Sequence, residues 1–300
     1  MKLCYGLLVS SKINQIKNLI SLLDVNGNEI VIHVDLKKDD IYSELKKEYK
    51  SNKHIHFVEN RIDSSWAHIS ETAAAVRLFE GVLEYVKDFD YFTILSESCL
   101  PLYPDEELKK FLEKNNGKEF IDARIDSSKR SRLHLYHDKP TALQRKHRNF
   151  VAFSEVIIDF LFGNIVGRKE FESWQVPYSV IWMTITKGLL EHLVNTIHKE
   201  NLLEKYDNTL MQDEHIFADV FMRSPYLKNQ YIPGKRGTSL HCIDWKVINA
   251  PRVFTMKQYD KLYNPKTPCF FARKFDENKD SEIIKKISEN CKNKNFKSKF

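Results

Sequence analysis

The chain has 300 residues, with 47 Lys and Arg against 41 Asp and Glu and a formal net charge of +6. That length fits one large α/β domain or two small ones, and a 42% hydrophobic content is enough for a sizeable core. The mild positive charge suits an anionic small molecule, an anionic glycan or a membrane surface. No Cys/His finger spacing and no Gly-aromatic RNA motif marks a nucleic-acid binder. No 18-residue apolar span is present, so no transmembrane helix is expected. The run "MKLCYGLLVSS" is too short and lacks the cleavage pattern of a signal peptide. The five cysteines are odd in number, widely spaced and without a CxxC pair. They are expected to be reduced thiols, which places the chain in the cytoplasm.

In chain order, "KLCYGLLV" predicts a buried strand and "INQIKNLISLL" an amphipathic helix. "EIVIHVD" predicts a second strand ending at Asp35, and "HIHFVE" a short third. "SETAAAVRLFEGVLEYV" predicts a helix with Ser70 as its N-cap. "DYFTILSES" is apolar on both faces, as parallel-sheet strands are. "DEELKKFLEKN" predicts a further helix and "EFIDAR" a fifth strand. This rhythm over residues 1–126 predicts an α/β open sheet, central, mostly parallel and flanked by helices. Its ligand belongs beyond the C-terminal ends of the strands.

After residue 126 the pattern changes. Residues 127–150 are basic and aperiodic. "VAFSEVIIDFLFGNIVG" is apolar and helical, "YSVIWMTIT" a strand, and "KGLLEHLVNTIHKEN" a helix. "EHIFADVFM" predicts a helix capped by Asp213, with Glu214 complementing its N-terminal dipole. A loop-rich tail, the strand "CFFARKF" and a Lys-rich helix complete the chain. There is no internal repeat. The reading is a single domain, with a nucleotide-binding half (1–126) and an acceptor-shaping, catalytic half (127–300).

Candidate chemistry lies at strand ends. Asp35 ends one strand, and Ser96, Glu97 and Ser98 end another, where a Glu between two Ser can hydrogen-bond a sugar or ribose. "DFD" at Asp88–Asp90 resembles a metal-holding DxD, but it precedes its strand and so sits at the wrong edge. Arg273 and Lys274 follow an apolar run and suit phosphate oxygens. In "DEH", the pair His215 and Asp219 offers only two metal ligands, and HExxH is absent. Of the tryptophans Trp66, Trp174, Trp182 and Trp245, the last is the best candidate for acceptor contact.

"IHVD", "SSWAHISETAAAVRLFEGVL", "DYFTILSESCLPL", "SVIWMTIT", "QDEHIFADVF", "IDW" and "FARKFD" occur in an order and spacing that resemble the core-2/I-branching enzyme family (glycosyltransferase family 14), from about residue 1 to 276. This group includes the branching β-1,6-N-acetylglucosaminyltransferases and the peptide O-xylosyltransferases. The resemblance implies a GT-A fold with a Rossmann-like nucleotide-binding half, an inverting mechanism, a UDP-linked sugar donor and no metal. It implies Glu214 as catalytic base and Arg273 and Lys274 on the donor diphosphate. The donor-binding positions are then His33, Val34, Asp35, Asp63, Trp66, Ser96, Glu97, Ser98, Arg273 and Lys274. Arg236, His241, Trp245 and Trp182 are further contacts to phosphate or acceptor.

The sequence departs from the family where relatives carry Trp-Gly-Gly and this chain has Trp66-Ala67-His68. A bulkier His68 beside the donor would alter donor choice. Ile181 replaces a polar residue before the Trp of "SVIWM", and His241 stands where an Arg is common. Transfer to a hydroxyl of a surface glycan such as lipooligosaccharide or capsule, by a bacterial enzyme without an N-terminal anchor, is the leading expectation. A non-catalytic glycan- or nucleotide-binding member and a basic surface adaptor are the rivals. The basic stretch with Lys129, Arg130, Arg132, Lys139, Arg145, Lys146 and Arg148, interleaved with His134, His137 and His147, is expected to dock on an anionic acceptor or peripherally on the inner face of the cytoplasmic membrane.

Overall fold

The computed structural model describes residues 1–138, 148–245 and 251–300. A five-stranded sheet forms the centre, in the order β3-β2-β1-β4-β8. Its strands are β1 (Leu3–Val9), β2 (Glu29–Val34), β3 (Ile55–Phe57), β4 (Tyr91–Leu95) and β8 (Thr184–Thr186). The first four pair parallel, and β8 runs antiparallel to β4. The apolar runs read as strands are buried throughout β4 and almost throughout β1 and β2. This is the α/β, mostly parallel architecture of a GT-A-like fold. Strand order reverses direction at β1, with β2 on one side and β4 on the other. Such a switch point leaves a crevice at the strands' C-terminal ends.

The flanking helices are α1 (Ile13–Leu23), α2 (Asp39–Glu48), α3 (Ile69–Tyr85), α4 (Asp105–Lys114), the short α5 (Arg130–His134), α6 (Arg148–Val166), α7 (Lys187–Lys199), α8 (Leu202–Lys205), α9 (Asp213–Arg223), α10 (Tyr259–Leu262) and α11 (Ser281–Lys292). Helix α2 was not anticipated. It buries only Ile41 and Leu45 in a lysine- and acid-rich segment, so its apolar stripe is one turn long.

Three further expectations are corrected. Helix α3 starts one residue early, and its cap is His68, whose ring accepts from the Ser70 amide at 3.2 Å. Helix α9 is preceded by Gln212, and Asp213 is already helical, so the Asp and Glu both sit in the first turn. "EFIDAR" and "YSVIWMTIT" do not form full strands. They break into β6 (Arg124–Ile125) pairing antiparallel with β7 (Pro177–Tyr178), a Phe120–Thr184 bridge, and β8.

A second sheet joins β5 (Cys99–Pro101), β10 (Phe271–Arg273) and β9 (His241–Ile243). It places Cys269 beside Cys242, with Cα atoms 5.7 Å apart, and the two form a disulfide. Cys4, Cys99 and Cys291 are free. The all-thiol expectation is therefore wrong for one pair. The partners lie 27 residues apart, and only the β9–β10 pairing brings them together. The cytoplasmic placement loses the support it drew from reduced cysteines.

Glu119 holds β8 to α7. Its carboxylate accepts from the Thr186 amide at 2.8 Å and the Thr186 hydroxyl at 2.6 Å, while Thr186 Oγ1 caps α7 by accepting from Leu189. Burial raises the Glu119 carboxyl and outweighs the two Thr186 hydrogen bonds, leaving it at about 7. A folded-state pKa above the usual carboxylate value means the folded chain binds more protons than the unfolded one. Its contribution to stability is then full at acid pH and is lost as pH rises through 7. Glu119→Gln cannot ionise. Unfolding of the two proteins at pH 4.5 and pH 8 should show the stability difference moving in favour of the Gln variant by up to about 3 kcal/mol. A pH-independent difference would contradict this account of Glu119.

Candidate active site

A cavity of about 1340 Å³ opens at the C-terminal edge of β1, β2 and β4. Elements distant in sequence line it. The central sheet contributes Asp35, and the loop after β4 contributes Ser96, Glu97 and Ser98. The loop before α3 adds Trp66, α9 adds Asp213 and Glu214, and β10 with the residue after it adds Arg273 and Lys274. Ile181, Trp182, Arg236 and Trp245 complete the predicted positions.

The two most specific motifs are physically joined. "LSESCLPL" and "FARKFD" meet as the antiparallel β5–β10 ladder, with Arg273 opposite Cys99. The Phe275 amide donates to the Ser98 carbonyl at 2.9 Å, which continues the junction beyond the strands. Glu97 is engaged by the β1–α1 loop, where its carboxylate accepts from Ser11 Oγ at 2.8 Å and Ser10 Oγ at 3.3 Å. Lys12 of that loop reaches Asp276 at 2.6 Å.

Arg273 lies over the ring of Trp182, 4.0 Å from its centroid. Burial lowers the pKa of the Arg273 guanidinium, as it disfavours the charged form. Among the described residues no carboxylate forms an ion pair with it. The Lys274 ammonium is also lowered, first by burial and then by Arg273 beside it. Two adjacent, incompletely compensated cations at a cavity wall have the chemistry to hold an anion.

Glu214 forms an ion pair with Arg132 of α5. Asp213 differs from it. Burial, and then the carboxylates of Glu71 and Glu214, push its carboxyl well above the usual range. The neighbour His215 is fully buried, donates from Nδ1 to the Pro177 carbonyl at 2.8 Å, and is lowered to about 3 by burial. It is a neutral core residue, and Asp219, the other half of the proposed metal pair, is engaged by Arg223 instead. Among the described residues, no group of three or more His, Cys, Asp and Glu is arranged to hold a metal. Asp88 and Asp90 lie at the opposite edge of the sheet, where both contact Lys2.

Several predicted positions are used differently. His33 is fully buried, and its Nε2 accepts from the Ile62 amide at 3.0 Å. Burial lowers its ring to about 4, so it lines the cavity as a neutral ring and braces a loop there. Val34 is a core side chain with no exposure. Asp63 is exposed, pairs with Lys37 and lies outside the cavity lining. His241 is stacked on Phe271 at 5.2 Å and tilted against Trp182 at 6.2 Å. Burial lowers it to about 4, so it supports Trp182 as a neutral ring and offers no charge to a phosphate. His68 is spent on the α3 cap and does not line the cavity. Ala67 carries the backbone strain at this turn. Its φ of 58° is left-handed, a conformation that costs a non-glycine residue. Asp35 does line the site. Burial raises its carboxyl, but hydrogen bonds from Ser64 and Lys37 outweigh that and hold it below the usual range.

Sequence reasoning missed the specific role of Arg132, which lay inside a run read as one basic surface. The described part of that run points inward. Arg130 and His134 pair with Asp159, Arg132 with Glu214, and His137 with Glu155. Residues 139–147 lie outside the described residues.

With this geometry in place, the comparison with known proteins is decisive. The Core-2/I-Branching enzyme family matches residues 3–275. The chain belongs to that family. It is similar to Xylosyltransferase sqv-6 of Caenorhabditis elegans, at 27% identity over 90% of this chain and 34% of that protein. It is similar to a xylosyltransferase of Ciona intestinalis, at 25% identity over 95% of this chain and 33% of that protein. Mouse Xylosyltransferase 2 is 23% identical over 95% of this chain and 33% of that protein. The chain thus spans about a third of the length of these relatives.

Arg273→Ala and Lys274→Ala should each weaken binding of a nucleoside diphosphate by roughly 10- to 100-fold, the effect of losing a charged hydrogen bond worth ~1.5–3 kcal/mol. Titration calorimetry with UDP measures this. Unchanged affinity in both variants would remove the pair from the anion site.

Proposed function

We propose that this core-2/I-branching family member transfers a sugar from a UDP-linked donor to a hydroxyl of a glycan acceptor, with inversion and without a metal ion. One observation carries the reading. The Glu214 carboxylate and the Arg273–Lys274 cations, brought from separate elements, line one cavity at the C-terminal edge of a GT-A-like sheet. An inverting transfer is a single in-line displacement. It needs a base for the acceptor proton and positive charge for the leaving diphosphate.

Glu214 is the base in this reading. Arg132 fixes the direction of its carboxylate. Asp213 is a poor proton acceptor because burial and neighbouring carboxylates favour its protonated form. Arg273 and Lys274 take the charge that a metal would otherwise neutralise, and Asp35, Trp66 and Ser96–Ser98 sit where the nucleoside and sugar would lie. Residues 1–126 then hold the nucleoside and sugar, while 127–300 supply the base and the diphosphate-binding cations and shape the acceptor site. Trp245, 47% exposed at the rim, is placed for acceptor contact. The xylosyltransferase relatives make xylose the first donor sugar to test, ahead of N-acetylglucosamine, glucose and galactose.

Glu214→Gln should retain UDP binding and lose ~10²–10⁴-fold in transfer rate. Asp213→Asn should fall by less than tenfold, since an amide resembles the protonated acid it replaces. Single-turnover transfer from a panel of UDP-sugars reads both, and the reverse ranking would move the base to Asp213.

Transfer should persist in excess EDTA. Activity abolished by EDTA and restored by Mn²⁺ or Mg²⁺ would refute metal independence.

A further inference from the structure

Helix α6 is amphipathic in the reverse sense. Its acidic side chains face the protein. Asp159 is 5% exposed and accepts both contacts of Arg130 at 2.8 Å, with His134 on its Oδ1, and Glu155 turns to His137 at 3.5 Å. Gly163 and Gly167 lie beneath the His134 ring, and a Cβ at Gly167 would come within 2.2 Å of it. The apolar residues face outward, with Phe160 75% exposed and Ile165 82%, and with Phe153, Leu161 and Phe162 all more than half exposed. The exposed Trp174 continues this face, and a groove of about 500 Å³ runs between α5 and α6, lined by Val156, Ile157, Phe160, Leu161 and Trp174. A soluble helix is expected to show the opposite pattern, and a large exposed apolar face marks a contact with something non-aqueous.

The flanking charge says which contact. Lys139, Arg145, Lys146 and Arg148 lead into α6 in sequence, and no acidic residue occurs between positions 139 and 154. A second copy of the chain would add a like-charged run to this one. An anionic lipid surface would neutralise it while the rings enter the acyl boundary. No helix among the described residues is long and apolar enough to cross a membrane, which leaves α6 lying in the interfacial plane.

We propose that α6 is an in-plane membrane-docking helix that seats the protein on an anionic bilayer through its Phe153–Ile165 face. Val156, Ser128 and Ser131 belong both to the groove beside α6 and to the main cavity, so docking would set the cavity mouth next to the lipid surface. The proposal does not depend on the transferase reading.

Co-sedimentation of the full chain with vesicles of phosphatidylglycerol and phosphatidylcholine, against phosphatidylcholine alone, tests it. The wild type should bind the anionic vesicles at least tenfold more tightly and retain measurable binding at 1 M salt, where only electrostatic attachment is screened out. The double variant Phe160→Glu, Ile165→Glu should lose at least tenfold in vesicle affinity. Its thermal midpoint and UDP affinity should stay unchanged, because neither side chain is in the core or the cavity. Binding abolished by salt alone would overturn the role of the apolar face. So would equal binding by the double variant. Absence of vesicle binding, with self-association in light scattering that the double variant removes, would assign the face to a second copy instead.

Discussion

A guanidinium held largely out of water organises this molecule. Arg273 rests on the Trp182 ring without a carboxylate ion pair among the described residues, and taking a charge out of water costs several kcal/mol unless something compensates. The fold provides the rigidity for this. β10 is laddered on both sides, antiparallel to β5 and parallel to β9, so the side chain is carried by a strand rather than a loop. Trp182 is backed in turn by His241, a ring that burial keeps neutral. A positive His there would repel Arg273. An anion placed beside it would offset the desolvation that the protein alone leaves in place.

The rest of the site is arranged around that cation. The SES loop is tied to β10 by the Ser98–Phe275 hydrogen bond and to the β1–α1 loop by Glu97. The C-terminal edge of the sheet and the cation pair are therefore tied together by hydrogen bonds. Glu214 approaches from α9, its orientation set by Arg132 of α5, 82 residues earlier in the same half of the chain. Two arginines thus act differently. Arg273 rests on Trp182 at the cavity wall with no carboxylate ion pair among the described residues, while Arg132 is paired with Glu214. The adjacent acids are separated by environment in the same way, since Asp213 is pressed toward its neutral form by burial and by neighbouring carboxylates.

Much of this was legible in the sequence, for identifiable reasons. β1, β2, β4, α1 and α7 are long, periodic segments whose apolar residues are buried, and hydrophobic patterning reports burial directly. The family motifs located Glu214, Arg273 and the SES loop, because each is a short string bearing its own chemistry. Pairing between distant segments left no such mark. The Cys242–Cys269 bond depends on β9 lying beside β10, and the use of Arg132 depends on α5 lying beside α9. His33, which lines the cavity, and His241 and His68 each have a structural use that the sequence alone did not show. An imidazole at a site's edge reads as a ligand contact, whereas these three serve as a loop acceptor, a ring brace and a helix cap. The apolar character of α6 was visible. Its reversed orientation was not, because periodicity shows that a helix has two faces and not which one the protein keeps.

That reversed helix keeps two sets of contacts apart. α6 is fastened through Asp159 and Glu155 to α5, and its outer residues contribute nothing to the core. Exchanges among Phe153, Phe160, Leu161 and Ile165 lie apart from the partners of Glu214 and Arg273, and substitutions without shared contacts act independently. The outer face can therefore change in shape and polarity without disturbing the contacts that hold Glu214 and Arg273 in the cavity wall.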